Sequence, residues 1–369
     1  MTLSRRKSLA LIGGGVVLAA TVPTVGFLAT RTPTKALAPW DRAGRYDDPR
    51  LWALSYALLA PNPHNRQPWQ VKLQGQDGFE VYRDKARNLP VTDPFGRQLT
   101  IGMGCFLELM EIAAAQKGYR VETTLFPQGE DGPVAACRFQ ADAATPDPLF
   151  RQVLLRRSHK EMFEDRAVST TAAAPLRALA DIYLDGEERA TLRRIAHAAW
   201  LTEAATPAAW KESIDLLRIG KAEINARPDG IDVGGPMIET LALLGVVTRE
   251  AALDPNNPNA RAPIEDTANA ILAAPAMVVI RSSGNGRAQQ IATGRQWLRL
   301  NLAATAGGLA LRPVSQALQE YPEMKPHYDE IHARFARGGE TVQMLGLLGY
   351  GARTARTPRW PLETRMMNA

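Results

Sequence analysis

The amino-acid sequence predicts an α+β protein that is built from two related halves. In the first half, short strand-like runs surround the long apolar stretch QLTIGMGCFLELMEIAAAQKGY, which predicts a helix that ends at Gly118. In the second half, the strand-like run PAMVVIRS precedes a comparable stretch, RQWLRLNLAATAGGLAL. Each half therefore contains strands and one long apolar helix with a glycine-rich end, which indicates a weak internal duplication.

The first half begins with a helix that the pair Asp48-Pro49 predicts, because Asp is a favoured N-cap and Pro a favoured first helical residue. The runs WQVKL and FEVYR, joined by the turn GQDG, predict a β-hairpin. RVETTLF and VAACRF predict two further strands on either side of a polar turn. The segment ATPDP at 144–148 then predicts a boundary between the halves.

The second half is predicted to contain four helical stretches, PLFRQVLLRRS, LRALADIYL, ERATLRRIAHAAWL and WKESIDLLRIG. VQMLGLLGYG predicts a closing strand, and a basic, proline-containing tail follows it. We therefore divide the chain into a leader (1–38), a first half (39–143) and a second half (149–369).

The distribution of charge argues against nucleic-acid binding, because the excess of basic residues lies in the leader. The chain has 369 residues and a formal net charge of +6. Residues 1–38 contain no Asp or Glu but carry five basic residues: Arg5, Arg6, Lys7, Arg31 and Lys35. The rest of the chain has a net charge of 6 − 5 = +1. A nearly neutral body offers no broad surface for phosphate backbones.

The leader has the pattern of an export signal. The pair Arg5-Arg6, followed by Lys7, precedes an uncharged stretch from Ser8 to Thr30, which is typical of a twin-arginine signal. Cleavage after Ala38 fits the small-residue rule, but the following Pro39 should hinder it. A retained membrane anchor is the alternative, because the uncharged stretch is long enough to span a bilayer. We predict a location in the periplasm or on the outer face of the inner membrane.

Cysteine and histidine positions indicate neither a disulfide framework nor a metal site. Cys105 and Cys137 both lie in apolar contexts, where a free cysteine behaves as a small hydrophobic residue. His327 and His332 are five residues apart and so lie on different faces of a helix. We therefore predict no metal cofactor.

The loop APNPHNRQPW (60–69) gathers hydrogen-bonding side chains on a backbone that proline stiffens. Its residue types suit an ordinary turn. They also suit a ligand clamp, in which the fixed backbone presents amides to a heterocycle without a further ordering cost. We call this segment the clamp loop.

Three separated segments resemble the flavin-dependent nitroreductase family. APNPHNRQPW resembles the P-S-x-x-N-x-Q-P-W loop of that family, and RRSHKEMF (156–163) resembles its R-x-S-x-R/K phosphate segment. LGYGARTARTPRWPL (348–362) resembles its closing strand and basic tail. Together with the leader, these segments resemble the Acg-like branch of the family. The resemblance implies antiparallel sheets flanked by helices, with two nitroreductase-like halves packed as a pseudo-dimer.

The resemblance also implies FMN as the cofactor and assigns residues to it. Asn65 would bond the flavin ring with support from Gln67, and Lys160 would lie near the ring edge that gains negative charge on reduction. The implied phosphate ligands are Arg156 and Ser158, with Arg356 and Arg359 as a second clamp from the tail. The family's chemistry requires no acid–base side chain of the protein, so we assign none.

The order of the motifs predicts one flavin per chain. In the family the Arg-Ser segment precedes the clamp loop within one subunit, and two subunits form two interfacial sites. Here the clamp loop lies in the first half and the Arg-Ser segment in the second. A fused pseudo-dimer in which one site keeps both parts and the other has lost both explains this order.

The leading functional hypothesis is an exported FMN-dependent oxidoreductase that passes hydride from NAD(P)H, or another donor, to a small oxidised substrate. The alternative is a protein that binds and withholds FMN without turnover. A third alternative is a membrane-tethered interaction protein with a degenerate site. The segment 221–270 would be a lid over the flavin or an ordinary surface excursion.

Overall fold

Two four-stranded antiparallel sheets organise the protein, one in each half of the chain. The computed structural model describes residues 31–141 and 144–367, so most of the predicted leader lies outside the described residues. The strands in this part of the chain are β1 (Trp69–Gln74), β2 (Gly78–Arg83), β3 (Arg120–Leu125), β4 (Ala135–Gln140), β5 (Asp181–Tyr183), β6 (Leu217–Ile219), β7 (Ile231–Val233), β8 (Ala276–Ser282), β9 (Ala310–Pro313) and β10 (Thr341–Gly349).

Helices surround both sheets and cross between them. Those in the described ranges are α1 (Thr34–Arg42), α2 (Pro49–Ala57), α3 (Arg97–Ala115), α4 (Thr170–Ala173), α5 (Gly186–Ala205), α6 (Pro207–Asp215), α7 (Gly220–Ala226), α8 (Pro236–Leu243), α9 (Arg249–Leu253), α10 (Pro258–Ala273), α11 (Arg287–Ala306) and α12 (Lys325–Phe335). The α3 helix is long and apolar enough to cross a bilayer, but it is a buried core helix.

Both sheets follow one topology. The strand orders are β1-β2-β4-β3 and β5-β8-β10-β9, and all neighbours within these two sheets are antiparallel. In each sheet a long helix, α3 or α11, connects the second strand of this order to the edge strand that follows it in the chain. The predicted α+β class with antiparallel sheets is confirmed. The strands β6 and β7 form a separate parallel pair.

The two halves are interwoven at the C-terminus. Met366 pairs with Val71 at the edge of the first sheet, and the Met367 backbone N–H donates to the Val71 carbonyl at 2.7 Å. The last described residues of the chain thus extend the sheet of the first half. The boundaries 39–143 and 149–369 stay predictions.

Local signals in the first half specify its elements well. The Asp48 side chain accepts a hydrogen bond from the Arg50 backbone N–H at 2.8 Å, so it caps α2 as predicted. The predicted hairpin is also confirmed, with Trp69 paired to Arg83 at its open end. Trp69 is fully buried and stacks on Phe106 of α3.

Two helix predictions in the second half are wrong. PLFRQVLLRRS contains only a 3₁₀ turn at Pro148–Gln152, after which the chain runs beside β9 and Ser158 pairs with Leu311. LRALADIYL contains a short 3₁₀ turn and the strand β5. In both segments tertiary pairing with the second sheet overrides helical periodicity, which is a weak local preference over so few residues.

The halves meet where α3 crosses α11 with backbone against backbone. A Cβ atom built on Gly294 would lie 1.9 Å from the Ile101 carbonyl oxygen and 2.8 Å from the Gly104 Cα. A Cβ atom on Gly104 would lie 2.2 Å from the Ile291 carbonyl oxygen. The Cys105 thiol also donates to the Gly294 carbonyl at 3.1 Å. Glycine at both positions is therefore what permits this approach.

We predict that Gly294→Ala destabilises the protein by about 1–3 kcal/mol or more, because the added methyl group overlaps backbone atoms that cannot rotate away. Gly307→Ala is the matched control, since its Cβ would lie 3.5 Å from the nearest atom. Urea denaturation of the two variants measures the difference. Equal stability of Gly294→Ala and Gly307→Ala would show that the crossing is not tightly constrained.

Candidate functional site

A pocket of about 220 Å³ lies between the halves, beside the crossing of α3 and α11. From the first half it is lined by the clamp loop and α3, through Pro61, Asn62, Pro63, His64, Gln98, Ile101, Gly102 and Cys105. From the second half it is lined by Ser158, Trp297, Pro313, Ser315, Gln316, Gln319 and Met344. Carboxamides and apolar side chains therefore share its wall, as is usual for sites that bind an aromatic heterocycle.

The clamp loop is held in an unfavourable backbone conformation. His64, Asn65 and Gln67 have φ values of 47°, 51° and 49°, in the left-handed region that non-glycine residues rarely adopt. The Asn62 side chain closes the turn by accepting from the Gln67 backbone N–H at 2.7 Å. Strain of this kind persists only where surrounding contacts enforce it, and it is common at ligand sites.

Asn65 and Gln67 form those contacts with other parts of the protein. Gln67 is fully buried; its Nε2 donates to the Pro228 carbonyl at 2.6 Å and its Oε1 accepts from the Trp360 backbone N–H. Asn65 donates to the Pro228 and Pro358 carbonyls. The structure thus connects both side chains to the basic tail and to the segment after α7. Neither side chain is among the residues that line the pocket, so their assignment to the flavin ring stays a prediction.

Arg156 connects the Arg-Ser segment to the part of the chain that leads into the clamp loop. Its guanidinium is 3% exposed, and its Nη2 donates to the Leu59 carbonyl at 2.7 Å. The buried Nη1 atom has no hydrogen-bond partner within the described ranges. Burial lowers the pKa of Arg156 to about 10, and its charge acts on the nearby Cys105 thiol. A buried cation with an unused donor lies therefore close to the pocket.

Arg359 lies beside Arg156 but is fully occupied. Its five N–H groups donate to the carbonyls of Leu58, Leu59, Ala60 and Pro358 and to the Asn65 side chain. Burial lowers the pKa of Arg359 to about 9, and the charge of Arg156 adds to this effect. Arg359 fastens the tail to the end of α2, and any role on a phosphate would require it to exchange one of these bonds.

The other predicted ligands are distributed between the pocket and the surface. Ser158 lines the pocket. Lys160 is half-exposed and pairs with Asp232 at 2.7 Å. Arg356 pairs with Asp41 at 2.6 Å at the surface, beside the Trp40 ring. The structure therefore brings Ser158 to the site and leaves Lys160 and Arg356 in ion pairs outside its lining; their roles stay predictions.

The segment from β6 to β7 covers the clamp loop. The Gly230 backbone N–H donates to the Asn65 carbonyl at 3.2 Å, and the neighbouring Pro228 carbonyl accepts from Asn65 and Gln67. The Asp229 carboxylate then forms ion pairs with three arginines: Arg66, Arg87 and Arg218. Because these pairs are largely buried, loss of Asp229 would leave three largely buried arginines without this partner, so the pairing fixes the position of the segment on the loop. Part of the predicted lid, 221–270, thus contacts the clamp loop.

Sequence reasoning missed a buried acid behind the pocket wall. Glu203, at the end of α5, is 2% exposed and accepts from the Gln319 Nε2 at 2.6 Å. Burial raises the pKa of Glu203 to about 7, against the opposing hydrogen bonds from Gln319 and Gln316. Both glutamines also line the pocket. The sequence gives no signal for this contact, because α5 belongs to none of the three motifs.

The pocket also contains an imidazole and a thiol of low reactivity. Burial lowers the pKa of His64 to about 4, so the ring is neutral at pH 7, and its Nδ1 has no partner among the described residues. Burial raises the pKa of Cys105 to about 12, which keeps it protonated. Cys105 and Cys137 are both free. Neither group has the environment of an activated nucleophile.

Comparison with known proteins supports the family resemblance over part of the chain. No family model matches. A putative NAD(P)H nitroreductase of Mycobacterium tuberculosis, acg, is 32% identical over 117 residues, which are 31% of this chain and 35% of that protein. A second putative NAD(P)H nitroreductase of that organism is 32% identical over 78 residues, which are 21% and 22% of the two chains. The chain thus matches about a third or less of these relatives' length.

Solved structures of low similarity include a putative nitroreductase from Anabaena variabilis, with a TM-score of 0.42 and 11% identity over 86% of this chain and 91% of that one. Another is the FMN-dependent nitroreductase NfnB from Mycobacterium smegmatis in complex with NADPH, with a TM-score of 0.38 and 18% identity over 59% and 96% of the two chains. The family resemblance rests on the motifs and the partial sequence matches.

We predict that Glu203 makes stability depend on pH. Its pKa is raised to about 7 in the folded protein from an ordinary value of 4.5, so between these values the folded state binds a proton that the unfolded state has lost. The free energy of unfolding should therefore fall as pH rises from about 4.5 to 7 and then level off. Glu203→Gln should remove this contribution.

Urea denaturation at pH 5 and pH 8 tests this expectation. Glu265→Gln controls for the loss of one charge, since Glu265 is exposed and pairs only with Arg261 in the described chain. The same pH dependence in Glu203→Gln as in the wild type would refute the assignment.

Proposed function

Starting from the resemblance to nitroreductase-like proteins, we propose that this chain is an exported FMN-binding oxidoreductase that transfers hydride between a donor and a small oxidised substrate. FMN would bind in the pocket between the halves. The donor is NAD(P)H or, because nicotinamides are scarce outside the cytoplasm, another reductant.

The observation that carries the proposal is the unpaired guanidinium of Arg156. A buried charge is costly unless a partner compensates it, and Arg156 forms no ion pair with a carboxylate of the described residues. Its Nη1 donor is also unused. The phosphate of FMN is a dianion that suits a guanidinium, so its binding would satisfy both needs. Arg156 does not itself line the pocket but lies near the lining residue Cys105, so the phosphate would have to reach past the lining. The chemistry of these residues therefore fits the cofactor.

The residues that line the pocket suit an aromatic ring with polar edges. Gln98, Gln316 and Gln319 can donate to and accept from heteroatoms, and Ser158 adds a hydroxyl. The buried side chains of Trp297 and Ile101 exclude water from one side of the pocket. Bound FMN would supply the hydride-transfer chemistry, whereas the chain supplies binding and orientation.

The alternative, an FMN-binding protein without turnover, gains support from the closed clamp loop. The pocket, about 220 Å³, is smaller than the roughly 300–1,000 Å³ that is typical of ligand sites. The pocket must therefore widen before a cofactor or a second substrate enters. If it remains closed after FMN has bound, the flavin is sheltered from hydride donors.

Export is part of the proposal, and its signal lies outside the described residues. The twin-arginine machinery transports folded proteins, which allows FMN to bind in the cytoplasm before translocation.

Anaerobic mixing of the purified holoprotein with NADPH distinguishes the two functions. An oxidoreductase should lose its yellow flavin absorbance within the mixing experiment, and a small quinone or nitroaromatic acceptor should restore it. Dithionite is the control that shows the flavin to be reducible. Bleaching by dithionite alone, with no response to NADPH or NADH, would favour the withholding function.

We predict that Arg156→Ala weakens FMN binding about tenfold to a hundredfold, because it removes one charge-assisted contact of roughly 1.5–3 kcal/mol. Riboflavin, which has no phosphate, should lose far less affinity. Arg138→Ala is the matched control, since Arg138 is an exposed arginine that pairs with Asp77 at the surface and belongs to none of the predicted ligands. Fluorescence titration of the apoproteins measures both ligands. A folded Arg156→Ala protein that binds FMN and riboflavin like the wild type would show the phosphate assignment to be wrong.

A further inference from the structure

The α8 helix buries a charged side chain and exposes apolar ones, which is the reverse of an ordinary surface helix. Its Glu239 is buried, with 8% exposure, whereas Met237 is 56% exposed. Leu243 and Leu244, at the C-terminal end of the helix, are 80% and 71% exposed. Met237 and Leu244 are seven residues apart and so lie on one side of the helix, and Leu243 directly precedes Leu244. We call these three side chains the α8 patch. Contiguous exposed apolar groups of this kind usually mark an interaction surface.

Buried contacts of Glu239 fix α8 in this orientation. One carboxylate oxygen accepts from the Lys221 backbone N–H at 2.9 Å, and the other pairs with the Arg31 guanidinium at 3.0 Å. Rotation of the helix to bury its leucines would break both contacts. The apolar side is therefore presented outward by the same contacts that attach the start of the described chain.

The first described residue of the chain contacts α8, on the buried side of the helix where Glu239 lies. Arg31 directly follows the uncharged stretch Ser8–Thr30 in the sequence, and it contacts α8. An uncharged stretch of this length is long enough to span a bilayer of roughly 30 Å. If this stretch spans the membrane, a single residue, Arg31, connects the end of the span to α8. A membrane therefore would lie against α8.

The structure also argues that the leader is retained. The predicted cleavage position after Ala38 lies inside α1, in which Ala36 is 1% and Trp40 2% exposed. The Ala36 backbone N–H donates to the Asn225 side chain at 3.0 Å, and its carbonyl accepts from the Arg359 backbone N–H at 2.8 Å. Proteolysis favours exposed, poorly packed backbone, so a protein that folds before export would protect this position.

We propose that the uncleaved leader anchors the protein in a membrane and that the α8 patch lies in the interface of that membrane. The patch inserts its apolar side chains among lipid headgroups and upper acyl chains, as amphipathic helices do at membrane surfaces. The anchor and the patch together fix the orientation of the protein, because one attachment alone would leave it free to tilt. The proposal is independent of flavin binding.

Site-specific fluorescence in the full-length protein tests this proposal. Leu244→Cys introduces an exposed thiol, and Leu272→Cys is the matched control on an exposed leucine of α10. The native thiols do not compete for the label, because both are buried and burial raises their pKa to about 12. Each labelled protein is reconstituted in vesicles of phosphatidylethanolamine and phosphatidylglycerol that contain lipids with a nitroxide on the acyl chain.

We expect the probe at position 244 to lose emission to the nitroxide lipids and the probe at 272 to keep it. The intact mass of the membrane-extracted protein should include residues 1–38. An unquenched probe at 244, or equal quenching at both sites, would overturn the membrane contact of α8. Quenching between labelled copies at 244 without quenching by lipids would show instead that a second copy covers the patch. A protein that begins at Pro39 would overturn retention of the leader.

Discussion

The crossing of α3 and α11 is the constraint on which the rest of the structure depends. Gly104 and Gly294 allow the two backbones to touch, and each helix follows the second strand of its own four-stranded sheet. Any side chain at either position would force the helices, and with them the sheets, apart. Ile101 and Cys105, which flank Gly104, reach the pocket from this crossing. The position of the candidate site thus follows from how closely the halves approach.

The second organising feature is a set of arginines that differ in their ion-pair and hydrogen-bond partners. Arg66, Arg87 and Arg218 converge on Asp229, so that the segment from β6 to β7 is held over the clamp loop. Arg359 instead donates to backbone carbonyls and to the Asn65 side chain, whereas the Nη1 atom of Arg156 has no hydrogen-bond partner among the described residues. This difference separates groups that hold the fold together from the group that is available to a ligand.

The contacts that hold the clamp loop also bear on how a ligand reaches the pocket. The clamp loop is strained, and Asn65 and Gln67 secure it through the Pro228 carbonyl. Asn65 also donates to the Pro358 carbonyl, and Gln67 accepts from the Trp360 backbone N–H, so the tail holds both side chains as well. Movement of the segment from β6 to β7 alone would therefore leave both amides attached to the tail, and the lid role of 221–270 stays a prediction.

The sequence predicts well what local chemistry decides. The Asp48 cap, the hairpin and both long helices have signals within a few residues of where they act, and all are found. The prediction of a helix from Pro148 is wrong because Ser158 pairs with Leu311. This partner is 153 residues further along the chain, so the pairing leaves no local pattern in the sequence.

The candidate site was predictable only in part, for the same reason. Arg156 could be assigned from a motif, since the clamp loop and the Arg-Ser segment are recognisable separately. The contacts of Gln67 with Pro228, and of Glu203 with Gln319, involve partners outside every motif. Burial and hydrogen-bond satisfaction, which depend on the folded structure, decide where such side chains point.

The number of flavins bound per chain tests the central claim most directly, because the claim is that one interfacial site retains both its motifs and the other has lost them. Titration of the apoprotein with FMN, followed by flavin fluorescence and by calorimetry, measures this number. The account predicts saturation at one FMN for each chain, with the protein in any oligomeric state. Saturation at two per chain, or an apoprotein that does not bind FMN, would contradict it.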